Sequence, residues 1–236
     1  MNKLQVYCIS GLAADKRIFC NLKMEDAEFH FINWKMPAKT DTMRTYALSL
    51  AEQVLHPEIV LLGVSFGGML ATELSCIDKE SRMTGNNQPT LPFRLLKTII
   101  ISSCSHHKQF PFFMQWTAHT RLHRAVPYSL ILKNKALNRF AFDLRSREEE
   151  LYLKRMMLDS TNIELIKRSI HIIMSWKTVS NPEVIHIHGT KDRLLLPAKI
   201  QPDYWVEGGG HFMVWNRAAE INSILRELLK EERVKA

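Results

Sequence analysis

Long apolar runs are missing from this chain of 236 residues. No stretch approaches the roughly 18 consecutive apolar residues that a bilayer-spanning helix needs, so no transmembrane segment is expected. The opening residues Met1 to Ile9 hold an apolar stretch too short and too broken for a signal-peptide core. They read as a first strand, and a cytoplasmic location is the default expectation. Cysteine is scarce as well: the 4 cysteines, at positions 8, 20, 76 and 104, show neither C-x-x-C spacing nor a zinc-ligand pattern. Free buried thiols are the reading that remains. His186 and His188 lie two apart on one strand face but have no third ligand at a suitable spacing, so no metal is expected. No basic-aromatic strand pattern or known nucleic-acid module accompanies the formal charge of +8, and nucleic acid is not an expected partner. Hydrophobic residues at 46% and a mean hydropathy of −0.15 fit a soluble globular domain.

Glycine is also rare, with 9 in the chain. At that content one G-x-S-x-G arises by chance in roughly a few per hundred chains of this size. Here Gly63-Val64-Ser65-Phe66-Gly67-Gly68 follows directly on the apolar run Ile59-Val60-Leu61-Leu62, and that placement adds most of the weight. A serine held on a sharp strand-to-helix turn projects its hydroxyl only if the residues two before and two after lack bulky side chains. Gly63 and Gly67 meet the demand.

Two partners follow in the order that such a turn predicts, serine then acid then histidine. Asp192 stands in His188-Gly189-Thr190-Lys191-Asp192-Arg193, after the strand-like Val184 to His188. His211 follows Tyr204-Trp205-Val206-Glu207 through Gly208-Gly209-Gly210. Each lies just past the C-terminal end of a strand, where an open parallel sheet presents its ligand crevice. Taken singly, the three are an ordinary tight turn, a surface turn residue and a polar helix leader; taken together they converge on one site.

Strand signals alternate with helical ones, which predicts an α/β fold with a mostly parallel open sheet and helices on both faces. Strands are expected over residues 3–9, 29–33, 58–63, 97–103, 183–189 and 204–207. Helices are expected over 42–56, 66–77 and 216–233, with an exposed loop over 79–94. About eighty residues without a strand signal separate the strands at 97–103 and 183–189, far more than a simple connection needs. That segment is the candidate lid, a helical insertion over 105–180 in a core formed by 1–104 and 181–236. Two capping boxes, Ser146 with Glu149 and Thr161 with Glu164, mark helix starts inside it.

On the serine turn, the H-G-x-x-D segment and the G-G-H segment, the chain resembles the α/β-hydrolase superfamily over nearly its whole length. The resemblance implies Ser65 as nucleophile, Asp192 as acid and His211 as base. Ile9-Ser10-Gly11-Leu12 occupies the place where many members carry H-G-x, with Ser10 instead of the histidine. The backbone N–H groups of Leu12 and Phe66 would then form an oxyanion hole. A helical lid emerges at this point of the chain in the superfamily. The chemistry implied is acyl transfer without metal or organic cofactor, on a small or medium acyl ester or thioester.

Phe112 and Trp116, from the aromatic and methionine set of the insertion, and His106, just past a strand end, are candidate substrate contacts. From 105 to 180 there are 13 lysines and arginines against 6 aspartates and glutamates. A cationic roof, including Arg121, Arg124, Arg145 or Arg147, would favour anionic substrates, whereas a solvated basic face would not. The same scaffold also supports lyases, C–C bond hydrolases and catalytically silent binding proteins.

Overall fold

The computed structural model describes residues 3–84, 90–120, 139–144, 146–160, 162–178 and 182–235. The β-branched and leucine-rich runs form strands β1 (Leu4–Ile9), β2 (Ala27–Phe31), β3 (Glu58–Val64), β4 (Arg94–Ile101), β5 (Ile185–Gly189) and β6 (Tyr204–Val206). They make one sheet in the order β2-β1-β3-β4-β5-β6, with every neighbouring pair parallel. Helices α1 (Met43–Ala51), α2 (Phe66–Thr84), α3 (Phe112–Thr120), α4 (Arg147–Ser160), α5 (Ile163–Ser175), α6 (Met213–Asn216) and α7 (Ala218–Lys235) connect and flank the strands. No described helix is long and apolar enough to cross a membrane.

The pleat divides the strand residues between two cores. Val6, Cys8, Val60, Leu62 and Val64 face one side, whose core also takes in Ile221, Leu225 and Leu229 of α7. Tyr7, Ile9, Ile59 and Leu61 face the other, with Leu50 of α1 and Leu70 and Leu74 of α2. Because both faces are covered, the central strands are apolar at nearly every position. Each fully buried aliphatic side chain contributes roughly 1.5–3 kcal/mol.

Several element ends differ from the sequence expectation for identifiable reasons. Helix α1 stops at Ala51, short of residue 56, because the Gln53 amide leaves the helix for a neighbouring strand end. Its Nε2 donates to the Asn33 carbonyl and its Oε1 accepts from the Asn33 N–H. Helix α2 runs on to Thr84, past residue 77, with Arg82 paired to Asp78 one turn back at 3.1 Å. Strand β4 ends at Ile101 because Ser102 takes a left-handed φ of 47°. The closing helix is divided: Arg217, at φ −124°, separates α6 from α7. Between β4 and β5, Ser146 Oγ accepts from the Glu149 N–H at 3.1 Å. Thr161 lies outside the described residues; the cap of α5 is Asn162, which accepts from the N–H groups of Glu164 and Leu165.

Candidate active site

Ser65 sits between β3 and α2 at φ 53°, a left-handed conformation that costs a non-glycine residue about 1–3 kcal/mol. A β-carbon on Gly63 would run into the Gly67 backbone, and one on Gly67 into the carbonyls of Ile9 and Ser10. The turn is therefore possible only with glycine at both positions. Four hydrogen bonds hold it: the Ser65 N–H donates to Ile101 O, the N–H groups of Gly68 and Met69 donate to Ser65 O, and Ser103 Oγ donates to Ser65 O at 2.7 Å.

The loops that carry Asp192 and His211 are stitched to each other. Past β5, the N–H of Thr190 donates to Val206 O and that of Lys191 to Gly209 O, while the Gly208 N–H donates to Thr190 Oγ1 at 2.8 Å. This brings His211 Nδ1 to 2.7 Å from Asp192 Oδ2 and His211 Nε2 to 2.9 Å from Ser65 Oγ. A carboxylate only accepts, so the proton of the neutral imidazole is on Nδ1 and the Nε2 lone pair faces the serine hydroxyl. Asp192 and His211 are buried, at 1% and 3% exposure. Asp192 Oδ1 accepts from the N–H groups of Leu194 and Leu195, both at 2.9 Å. Burial alone would raise the Asp192 pKa. The charge and hydrogen bond of His211, with His188 and the Leu195 N–H, outweigh it and hold the carboxyl below the usual range.

His188 stands behind the acid. Its Nε2 donates to Leu195 O at 2.9 Å and lies 3.7 Å from Asp192 Oδ2. Burial pushes the pKa of His188 down, against the pull of Asp192. His186, stacked edge-on against His188 at 5.2 Å, is lowered to about 3, chiefly by burial. Among the described residues no His, Cys, Asp and Glu side chains are grouped to hold a metal. Cys104 is fully buried, and burial, with Asp192 nearby, pushes its thiol well up, so it is a packing residue.

The loop before the first helical turn lies against the serine. A β-carbon on Gly11 would stand 3.3 Å from Ser65 Cβ and 3.9 Å from its Oγ. Ser10 braces this loop by donating to Ala14 O at 2.9 Å, and Trp34 Nε1 donates to the same carbonyl at 2.8 Å. Leu12 and Phe66 both border the cavity that opens at Ser65.

That cavity has a volume of about 500 Å³. Ser65, Thr117 and His211 carry the only polar side chains among its described lining residues. The segment between β4 and β5 supplies much of the wall, through residues of α3, α4 and α5 and through Phe142, whose ring lies 5.7 Å from that of His211. The structure does not bring Phe112, Trp116 or His106 into this lining. Phe112 and Trp116 are 76% and 51% exposed; from α3 it is Met114, buried, with Thr117 and the half-exposed Phe113, that borders the cavity. His106 caps the turn His107–Gln109 by accepting from the Lys108 N–H. Met156 and Met157 of the aromatic and methionine set do line the cavity, whereas Ser103, His188, Met114 and Met174 are site neighbours that the sequence reading did not name; only the fold brings them together.

Arg121, Arg124 and Arg145 lie outside the described residues. Arg147, Lys154 and Arg155 of α4 are exposed, and no lysine or arginine is among the described lining residues.

The sequence matches no family model and no curated protein. Solved structures do match. An esterase from Thermogutta terrifontis superposes with a TM-score of 0.65 at 16% identity over 98% of this chain and 90% of that one. A carboxylesterase structure from Nitrososphaera gargenis gives a TM-score of 0.70 at 13% identity over 99% and 92%. The enol-lactonase of Burkholderia xenovorans LB400 gives 0.67 at 14% over 98% and 92%. At such identities the likeness is one of fold, and the fold of this chain is that of the α/β hydrolases.

Proposed function

We propose that the protein is a serine hydrolase that cleaves a small or medium acyl ester or thioester through an acyl-enzyme. The observation that carries this reading is the unbroken chain from Ser65 Oγ through His211 to Asp192, at 2.9 Å and 2.7 Å. His211 Nε2 takes the Ser65 proton as Oγ attacks the substrate carbonyl, and Asp192 steadies the imidazolium without taking its proton. The oxyanion is met by the backbone N–H groups of Leu12 and Phe66. Phe66 is the first residue of α2, so its N–H has no partner inside the helix and the helix dipole adds to it. Each such donor is worth roughly 3 kcal/mol in the transition state. Collapse of the intermediate breaks the C–O or C–S bond, and His211 returns the proton to the leaving group. Water, deprotonated by His211, then releases the acid and restores Ser65. The helices between β4 and β5 act as the lid.

The esterase and carboxylesterase neighbours favour an ester, and a structure described as a thioesterase of a prodiginine pathway keeps a thioester in view. The test is covalent labelling with a fluorophosphonate. Wild type is labelled on Ser65, and Ser65→Ala is neither labelled nor active. An unlabelled wild type, or a labelled and active Ser65→Ala, overturns the reading.

A further inference from the structure

The insertion helices that line the cavity are two-faced. On α4, Leu153, Met156 and Met157 point into it while Arg147, Lys154 and Arg155 face solvent. On α5, Ile166, Ile170 and Ile173 line it and Lys167 is exposed. None of the described lysines and arginines of these two helices lines the cavity, and its described wall offers no cation to a buried carboxylate. An ion there would lose its hydration without compensation. Five methionines, Met69, Met114, Met156, Met157 and Met174, share the wall. Their thioether chains are unbranched and flexible and refit around ligands of different length.

We infer that the site selects a neutral, linear acyl chain of medium length, held in the methionine-lined cavity with wide tolerance of chain length. This rests on the serine-hydrolase reading for where the carbonyl sits, and on the cavity alone for what the chain is. At about 30 Å³ for each water-sized group, the cavity of about 500 Å³ holds a chain on the order of ten carbons with slack. The volume is in the range of ordinary small-molecule sites. Below that length each added methylene leaves water for the wall, which raises binding about fourfold.

Two measurements separate the inference from the reading beneath it. The first is kcat/KM for p-nitrophenyl esters from two to sixteen carbons, below their aggregation limits, with a carboxylate-ended ester beside its methyl ester at low and high salt. The expected result is a rise of about fourfold per methylene to about eight to ten carbons, then a shallow decline. The neutral ester is favoured at least a hundredfold, at a ratio that salt does not change. The second is calorimetric titration of Ser65→Ala with methyl esters of the same lengths, where affinity follows the same steps without any chemistry. Graded binding with no turnover in wild type sinks the Ser65 reading and leaves the chain selection standing. A flat response from two to ten carbons in the titration, or a preference for the carboxylate-ended ester, overturns the chain selection. Met114→Trp moves the optimum to shorter chains and Met156→Ala to longer ones, with a thermal melt to show that each is folded. An optimum unmoved in both folded variants likewise overturns the assignment.

Discussion

At the scale of single residues, the conformation of Ser65 is costly and its surroundings offset the cost. The left-handed φ of 53° persists because the four hydrogen bonds around its backbone fix the turn more tightly than the serine's own preference opposes it. On the serine-hydrolase reading, Ser65, His211 and Asp192 operate as a unit, so their losses do not add. Single variants Ser65→Ala, His211→Ala and Asp192→Asn each lower kcat by at least about a thousandfold. The pair Ser65→Ala with His211→Ala is no slower than Ser65→Ala alone. Steady-state kinetics on the four proteins checks this, and multiplicative losses would show independent roles. This part of the site was legible because steric demand leaves its mark in residue type. Of the 9 glycines, Gly11, Gly63, Gly67, Gly68, Gly189, Gly208, Gly209 and Gly210 all flank the ends of β1, β3, β5 and β6. Polar bracing by Ser103 and Ser10 left no such mark, since a serine at either position has many ordinary uses.

At the scale of elements, the segment between β4 and β5 is fastened to α2 through a buried polar contact. Trp176, just past α5, donates through Nε1 to Glu73 Oε2 of α2 at 2.9 Å, and Arg44 of α1 lies 3.7 Å from the other carboxylate oxygen. Burial raises the Glu73 pKa against the Trp176 hydrogen bond and the Arg44 charge. Removing the indole donor leaves a buried acceptor unmet, at about 1–3 kcal/mol. Trp176→Phe is therefore expected to lower Tm by about 3–10 °C, as differential scanning calorimetry would register. A Tm within 1 °C of wild type would mean that the contact does not fasten the helix. The sequence marked this region as helical, through its length and its caps, but not which way the helices face. Phe112, Phe113 and Trp116 belong to one aromatic set in the sequence, with Phe112 and Trp116 as the candidate contacts, whereas Phe113, Met114 and Thr117 are the residues that line the cavity. Helical phase at a surface aromatic cluster is set by the partner surface, which a single sequence does not contain. The early stop of α1 has the same origin, because its cause is a contact from Gln53 to Asn33 across the chain.

At the scale of the whole molecule, the two histidines of β5 tie stability to pH. His186 has a pKa of about 3 when folded and about 6.5 when unfolded. Between those values the unfolded chain holds a proton that the folded one does not, so stability falls as pH drops from about 6.5 and approaches a slope of about 1.4 kcal/mol per unit. Asp192, held below its usual range, adds stability that is complete above about pH 4 and is lost as pH falls through its folded value. His186→Leu is expected to flatten the limb between about pH 6 and pH 4. Urea midpoints across that range measure it, and identical limbs in both proteins would contradict a buried neutral imidazole at 186.

Sheet order also governs when the site comes into being. Ser65 and His211 are separated by 146 residues, and the loops that carry Gly11, Ser65, Asp192 and His211 leave β1, β3, β5 and β6, of which β3 and β5 meet only through β4. Parallel pairings over such separations form slowly, because chain closure precedes the contacts that reward it. No fragment ending before β6 contains His211, and a chain whose strands have collapsed out of order leaves Ser65 without its imidazole partner. On the serine-hydrolase reading, Ser65 therefore stays unreactive until β6 has joined the sheet and delivered His211, so the topology itself keeps a partly folded chain from reacting with acyl compounds.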